Sequence, residues 1–159
     1  MVAKQLYSGK RFRVDEIQGK EVVVHPGAVV ILPLIDPEHI VMIQNHRVAV
    51  NQILWELPAG TLEEHELPLM CAKRELEEES GFKAKHFKEL TWFFTTPGFT
   101  DEKITAFVAT DLKKTKQKLD PGEQITVEVI SFTQALDMMK KGQIVDAKTI
   151  LTLLYYALY

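Results

Sequence analysis

The chain has 159 residues, 46% of them apolar, a formal charge of −3 and a single cysteine. That size suits one domain, 1–159, with a core that needs no covalent staples. The mildly acidic balance, with no basic run, excludes broad electrostatic binding to nucleic acid. Cys71 has no second thiol to pair with, which fits a reducing cytoplasm. The opening MVAKQLYSGK lacks the apolar stretch of a secretory leader, and the tail ILTLLYYALY is too short to span a bilayer. A cytoplasmic protein without membrane partners is expected.

In chain order, KRFRVDEI alternates as a strand does, and EVVVH, AVVILPLI and HIVMIQNH are strands by β-branched density. Pro26-Gly27 and Asp36-Pro37 punctuate them. Pro58, Gly60 and the polar residues after them read as a loop. Pro68 at a first helical position and Gly81 past the end delimit a helix, although Leu67 is a weak cap. ELTWFFTT, closed by Pro97-Gly98, and KITAFVAT are strands. DLKKTKQKLDPGEQ reads as a polar loop and QITVEVISF as a last strand. Helices are expected from about Thr133 to Lys141 and from Ala147 onward. Strands on both sides of a central helix indicate a mixed α/β (α+β) layout rather than regular βαβ alternation.

The central helix carries Glu75, Glu77, Glu78 and Glu79 within five positions. At 100° per residue, Leu69, Ala72 and Leu76 form the inward stripe, Glu75 and Glu79 stack on its flank, and Glu77 points to solvent. Taken alone, such a run is compatible with a solvated acidic face. Carboxylates at the boundary of a core are costly unless compensated, and a hard divalent ion compensates them well.

Context sharpens this. Gly60, five residues, Glu66, seven residues and then Arg74-Glu75-Leu76-Glu77-Glu78-Glu79-Ser80-Gly81-Phe82 resemble the Nudix box, G-x5-E-x7-R-E-U-x-E-E-x-G-U, at every fixed position. WELPAG before the box, Pro97 sixteen residues past Gly81, IQNHR and GQIVDAKTILTLLYY resemble the ADP-ribose and nucleoside diphosphate sugar pyrophosphatase branch of that family. The resemblance implies an α/β/α sandwich with a mixed sheet and a small N-terminal antiparallel sheet. It also implies metal-dependent hydrolysis of a diphosphate, with Mg²⁺ or Mn²⁺ as cofactor. GDP-mannose and dinucleoside polyphosphates stay open as substrates, as does a nucleotide-sensing domain without turnover.

By the same resemblance, Glu75 and Glu79 are the principal metal ligands, Glu78 a further one with a catalytic share, and Ala59 a carbonyl donor. Gly60, Glu66, Arg74 and Gly81 serve the motif structurally. Arg47 is the phosphate-binding candidate, since a guanidinium grips two oxygens at once. Glu21 and His25 reach toward the base, and Pro97, Gly98 and Glu102 belong to a substrate-side loop. Phe12 or Trp55 could stack on a base, although a core role is equally open. Glu123, with Asp120 just before it, is the expected general base, and Glu102 the runner-up. Homodimers are common in the branch, so residues 1–25 are expected to be exchanged or shared, and 26–159 to form the catalytic core.

Overall fold

The computed structural model describes residues 3–10 and 12–159. These described residues form three sheets and three helices. An N-terminal antiparallel sheet holds β1 (Lys4–Ser8), β2 (Arg13–Ile17) and β3 (Lys20–Val24) in that order. The expected first strand thus begins at Arg13; Arg11, inside that reading, lies outside the described residues, as do Met1 and Val2. β1 had no counterpart in the sequence reading, because none of its five residues is buried and it carries no core pattern.

β4 (Ala28–Pro33) is buried along its whole length, so its sequence AVVILP is continuously apolar. It pairs in parallel with β9 (Lys103–Lys114) and antiparallel with β7 (Ala59–Thr61), while β8 (Phe82–Phe94) runs antiparallel along β9. The sheet order is β7-β4-β9-β8. A second sheet, β10-β5-β6, is built from β10 (Ile125–Ser131), β5 (His39–Arg47) and β6 (Gln52–Glu56).

Alternation along β4 and β9 divides the core. Val29, Ile31, Phe107 and Ala109 pack against Cys71, Ala72 and Leu76 of α1 (Pro68–Ser80). Val30, Leu32, Ala106 and Val108 face the opposite way. There they meet Ala135 and Met138 of α2 (Phe132–Lys140) and Leu153 of α3 (Ala147–Leu158). The result is the expected α/β/α sandwich with a mixed sheet.

Several local expectations are corrected. Ala59–Thr61 is a strand, not loop, because it finds a long-range partner in β4. Gln52–Glu56, unassigned in the sequence reading, is a strand that returns along β5 through the 48–51 turn. β8 starts at Phe82, and β9 continues through Asp111–Lys114, since the two ladders pair from Phe82↔Lys114 to Phe94↔Lys103. Leu69 is 40% exposed rather than inward, and Cys71 takes the place in the buried stripe. Helix α1 does begin without a side-chain cap at Leu67, with Pro68 setting its first turn, and ends on Gly81 at φ 68°.

Candidate active site

The C-terminal half of α1 leans on the β7 edge and brings the carboxylates to it. Gly60 makes this approach: a Cβ there would lie 1.9 Å from the Glu75 carboxyl carbon, so only glycine leaves Glu75 its place. Glu79 is 6% exposed and accepts a hydrogen bond of 2.8 Å from the Ala59 N–H. Burial raises the carboxyl of Glu75 to about 7, against the pull of Arg74, and that of Glu79 to about 8, against the pull of the Ala59 N–H. These are charges the fold desolvates without full compensation.

Arg74 partly compensates them. Its Nε and Nη2 donate to Glu66 at 3.0 and 2.8 Å, and Nη1 donates to Glu75 at 2.6 Å and to Glu78 at 3.1 Å. The guanidinium therefore ties the 60–66 segment to α1, and it holds the Glu66 carboxyl below the usual range. Glu77 is not directed to solvent as expected: Lys118 and Lys83 bracket it at 3.1 and 3.3 Å and lower its carboxyl. Gly81 closes the helix where a Cβ would meet the Gln117 backbone nitrogen at 3.0 Å. Buried Cys71 has its thiol pushed far up by burial, which leaves it chemically inert here.

Glu75, Glu78 and Glu79 line one cavity of about 720 Å³ together with Arg47, Ala59 and Glu123. Glu123 sits in the 120–124 turn, where its carboxylate accepts from the Asp120 N–H, and it is near enough to help raise Glu75. Among the described residues, no three acidic, histidine or cysteine side chains converge as a ready-made cage. Arg74 instead occupies the space between Glu75 and Glu78. The donor set nevertheless suits a hard divalent cation: carboxylate oxygens, those of Glu79 buried and those of Glu75 largely covered, whose charge lacks a full counter-ion.

Arg47, expected to grip phosphate, is half engaged. Its Nε and Nη2 fork onto buried Glu56 at 2.7 and 2.6 Å, leaving the outer edge of the guanidinium toward the cavity. The sequence reading missed Glu56 and its second partner, Lys148. Lys148 bonds Glu56 at 2.6 Å and Asp146 at 2.9 Å. The only signal available was the glutamate in WELPAG, whose partner on α3 lies 92 residues away.

The remaining candidates disperse. Glu102 lines a second cavity beyond Ala59 and accepts from the Thr95 hydroxyl, while Pro97 and Gly98 are an exposed turn beside it. His25 holds that loop: its N–H donates to Asp101, and its Nδ1 accepts from the Gly27 N–H and lies 3.7 Å from Glu102. Glu21 is exposed on β3 and lines neither cavity. Phe12 is exposed beside Tyr7, and Trp55 packs against the main core.

The family model described as NUDIX domain matches residues 24–153. An ADP-ribose pyrophosphatase of Bacillus subtilis (strain 168) is 37% identical, over 98% of this chain and 90% of that protein. A methanol dehydrogenase activator of Bacillus methanolicus is 35% identical over the same shares. A solved structure titled "Crystal structure of ADP compounds hydrolase" superposes with a TM-score of 0.81 at 21% identity, covering 99% of this chain and 90% of that one, which shows the shared fold. Among the described residues, no helix is long and apolar enough to cross a membrane.

Proposed function

The chain belongs to the Nudix family, and from that premise we propose that it hydrolyses the diphosphate of ADP-ribose or a related nucleoside diphosphate sugar. The products are a nucleoside monophosphate and a sugar phosphate. One observation carries this reading: buried Glu79 and largely covered Glu75 open with Glu78 on a cavity whose other wall presents the free edge of Arg47. Acid on one side and guanidinium on the other suits a phosphoanhydride held with divalent cations.

Glu75, Glu78, Glu79 and the Ala59 carbonyl would hold Mg²⁺ or Mn²⁺, which supplies charge neutralisation and an acidified water when bound. Arg74 must release Glu75 and Glu78 for this, and its fork on Glu66 keeps it in place when it does. Arg47 binds phosphate oxygens through the edge that Glu56 leaves free. Glu123, on a turn at the cavity rim, takes the proton of the attacking water. Glu102 and the turn at Pro97 and Gly98 border the sugar or nucleoside half. The whole chain, 1–159, acts as one catalytic unit in a homodimer of the cytoplasm. Exposed Leu6, Tyr7 and Ile17 on the N-terminal sheet supply apolar surface for the partner, with Glu21 and His25 serving its site.

The test is incubation of the purified chain with ADP-ribose, or with GDP-mannose in parallel, and Mg²⁺, followed by chromatography. AMP and ribose 5-phosphate should accumulate, and chelation should stop them. Binding of either compound without cleavage points instead to a sensing domain.

A further inference from the structure

Beyond Ala59 and Gly60, away from the carboxylates, lies a second cavity of about 320 Å³. Arg47 lines both cavities and marks their junction. Lys148, from the first turn of α3, projects into the second one with its side chain only 15% exposed. Its ammonium is held by Glu56 and Asp146, and Asp146 turns its other oxygen to cap the Thr149 N–H. Glu56 itself is 0% exposed and carries both Arg47 and Lys148 on one carboxylate.

A buried carboxylate with two cations is a poor stability device, since desolvation offsets most of the attraction. What it does provide is orientation. Both cations lose their freedom on the side facing Glu56 and keep hydrogen-bond donors on the side facing the cavity. A diphosphate at the carboxylates, with Arg47 at its middle, places its second half in the smaller cavity. Thr95 and Glu102 at the far wall offer acceptors for hydroxyl groups. That volume lies at the small end for ligand pockets and suits a sugar phosphate better than a base with its ribose.

We propose that Lys148 is a contact to the phosphate of the sugar-bearing half of the substrate, and that Glu56 is the positioning residue that aims Lys148 and Arg47 together. This rests on the hydrolase reading above. Full-length wild type and Lys148→Gln are compared by steady-state kinetics with ADP-ribose and Mg²⁺, with ribose 5-phosphate and AMP as product inhibitors. KM should rise about tenfold or more with kcat changed less than about threefold, consistent with loss of a charge-assisted hydrogen bond. Inhibition by ribose 5-phosphate should weaken about as much, inhibition by AMP should not, and Lys148→Arg should recover most of the loss. Glu56→Gln should raise KM as well, whereas a purely structural role would lower the melting temperature and leave KM alone. Unchanged KM and unchanged inhibition in Lys148→Gln, or weakening of AMP alone, overturn the proposal while wild-type turnover upholds the hydrolase. If wild type turns over none of the diphosphates, the functional reading fails. Calorimetric binding of ribose 5-phosphate to wild type and Lys148→Gln then decides on its own, equal affinities or none overturning it. If the variant does not fold, a wild-type structure with ribose 5-phosphate decides: its phosphate lies within hydrogen-bond distance of Lys148 Nζ, or the assignment is wrong.

Discussion

Replacing Glu79 by glutamine keeps the side chain's shape and its hydrogen bond from the Ala59 N–H, and removes a charge that burial makes costly. Burial raises this carboxyl to about 8, whereas in the unfolded chain it ionises near about 4.3. The native chain therefore keeps its proton over a range where the unfolded chain has lost it. Stability from this group is complete below about pH 4 and is lost as pH rises toward the folded value. At about 1.4 kcal/mol per unit, the metal-free wild type is penalised by about 1 kcal/mol at pH 5 and about 4 kcal/mol at pH 7.5, relative to a side chain that stays neutral. Glu79→Gln should thus melt about 10 °C above wild type at pH 7.5 in EDTA, and only a few degrees above it at pH 5. Mg²⁺ should stabilise wild type and narrow that gap, because the ion takes the place of the proton. Turnover should meanwhile fall at least about a hundredfold. Urea denaturation and thermal melting at the two pH values provide the measurement. A variant no more stable than wild type at pH 7.5, or a gap independent of pH, refutes the reasoning.

Glu123→Gln should lower kcat about 10²–10⁴-fold with little change in KM; full activity moves the base elsewhere. In Gly60→Ala the new methyl falls on the Glu75 carboxyl, which must move. Half-maximal activation should then need about tenfold more Mg²⁺ or beyond, at a melting temperature near wild type, and an unchanged Mg²⁺ requirement would count against Glu75 as a ligand. Arg74→Ala strands Glu66, Glu75 and Glu78 and should destabilise the metal-free chain by about 3 kcal/mol at neutral pH. Because Arg74 depresses the Glu66 carboxyl, the share of that loss due to their pair is present above the ordinary carboxylate value and fades as pH falls through the depressed one. Denaturation curves taken from pH 7 down to about pH 2 check the trend, and a penalty that does not shrink at the acid end argues against the pairing.

The sequence by itself determined the box, the bounds of α1 from Pro68 to Gly81, and the strand that contains β4. Each depends on short-range periodicity or on residues with fixed backbone demands. It also placed Glu75, Glu78 and Glu79 on one flank of a helix, because helical geometry is local. Only the tertiary structure decided that Cys71 rather than Leu69 faces the core, since that depends on where β4 and β9 lie beneath the first turn. The strand at Ala59–Thr61 likewise exists through a partner distant in sequence, β4. Glu77 finds Lys118 across a chain reversal that no helical wheel contains. Arg47 and Lys148 meet on Glu56 for the same reason: electrostatic pairing in a folded chain is set by proximity in space, and residues 92 positions apart carry no shared local pattern.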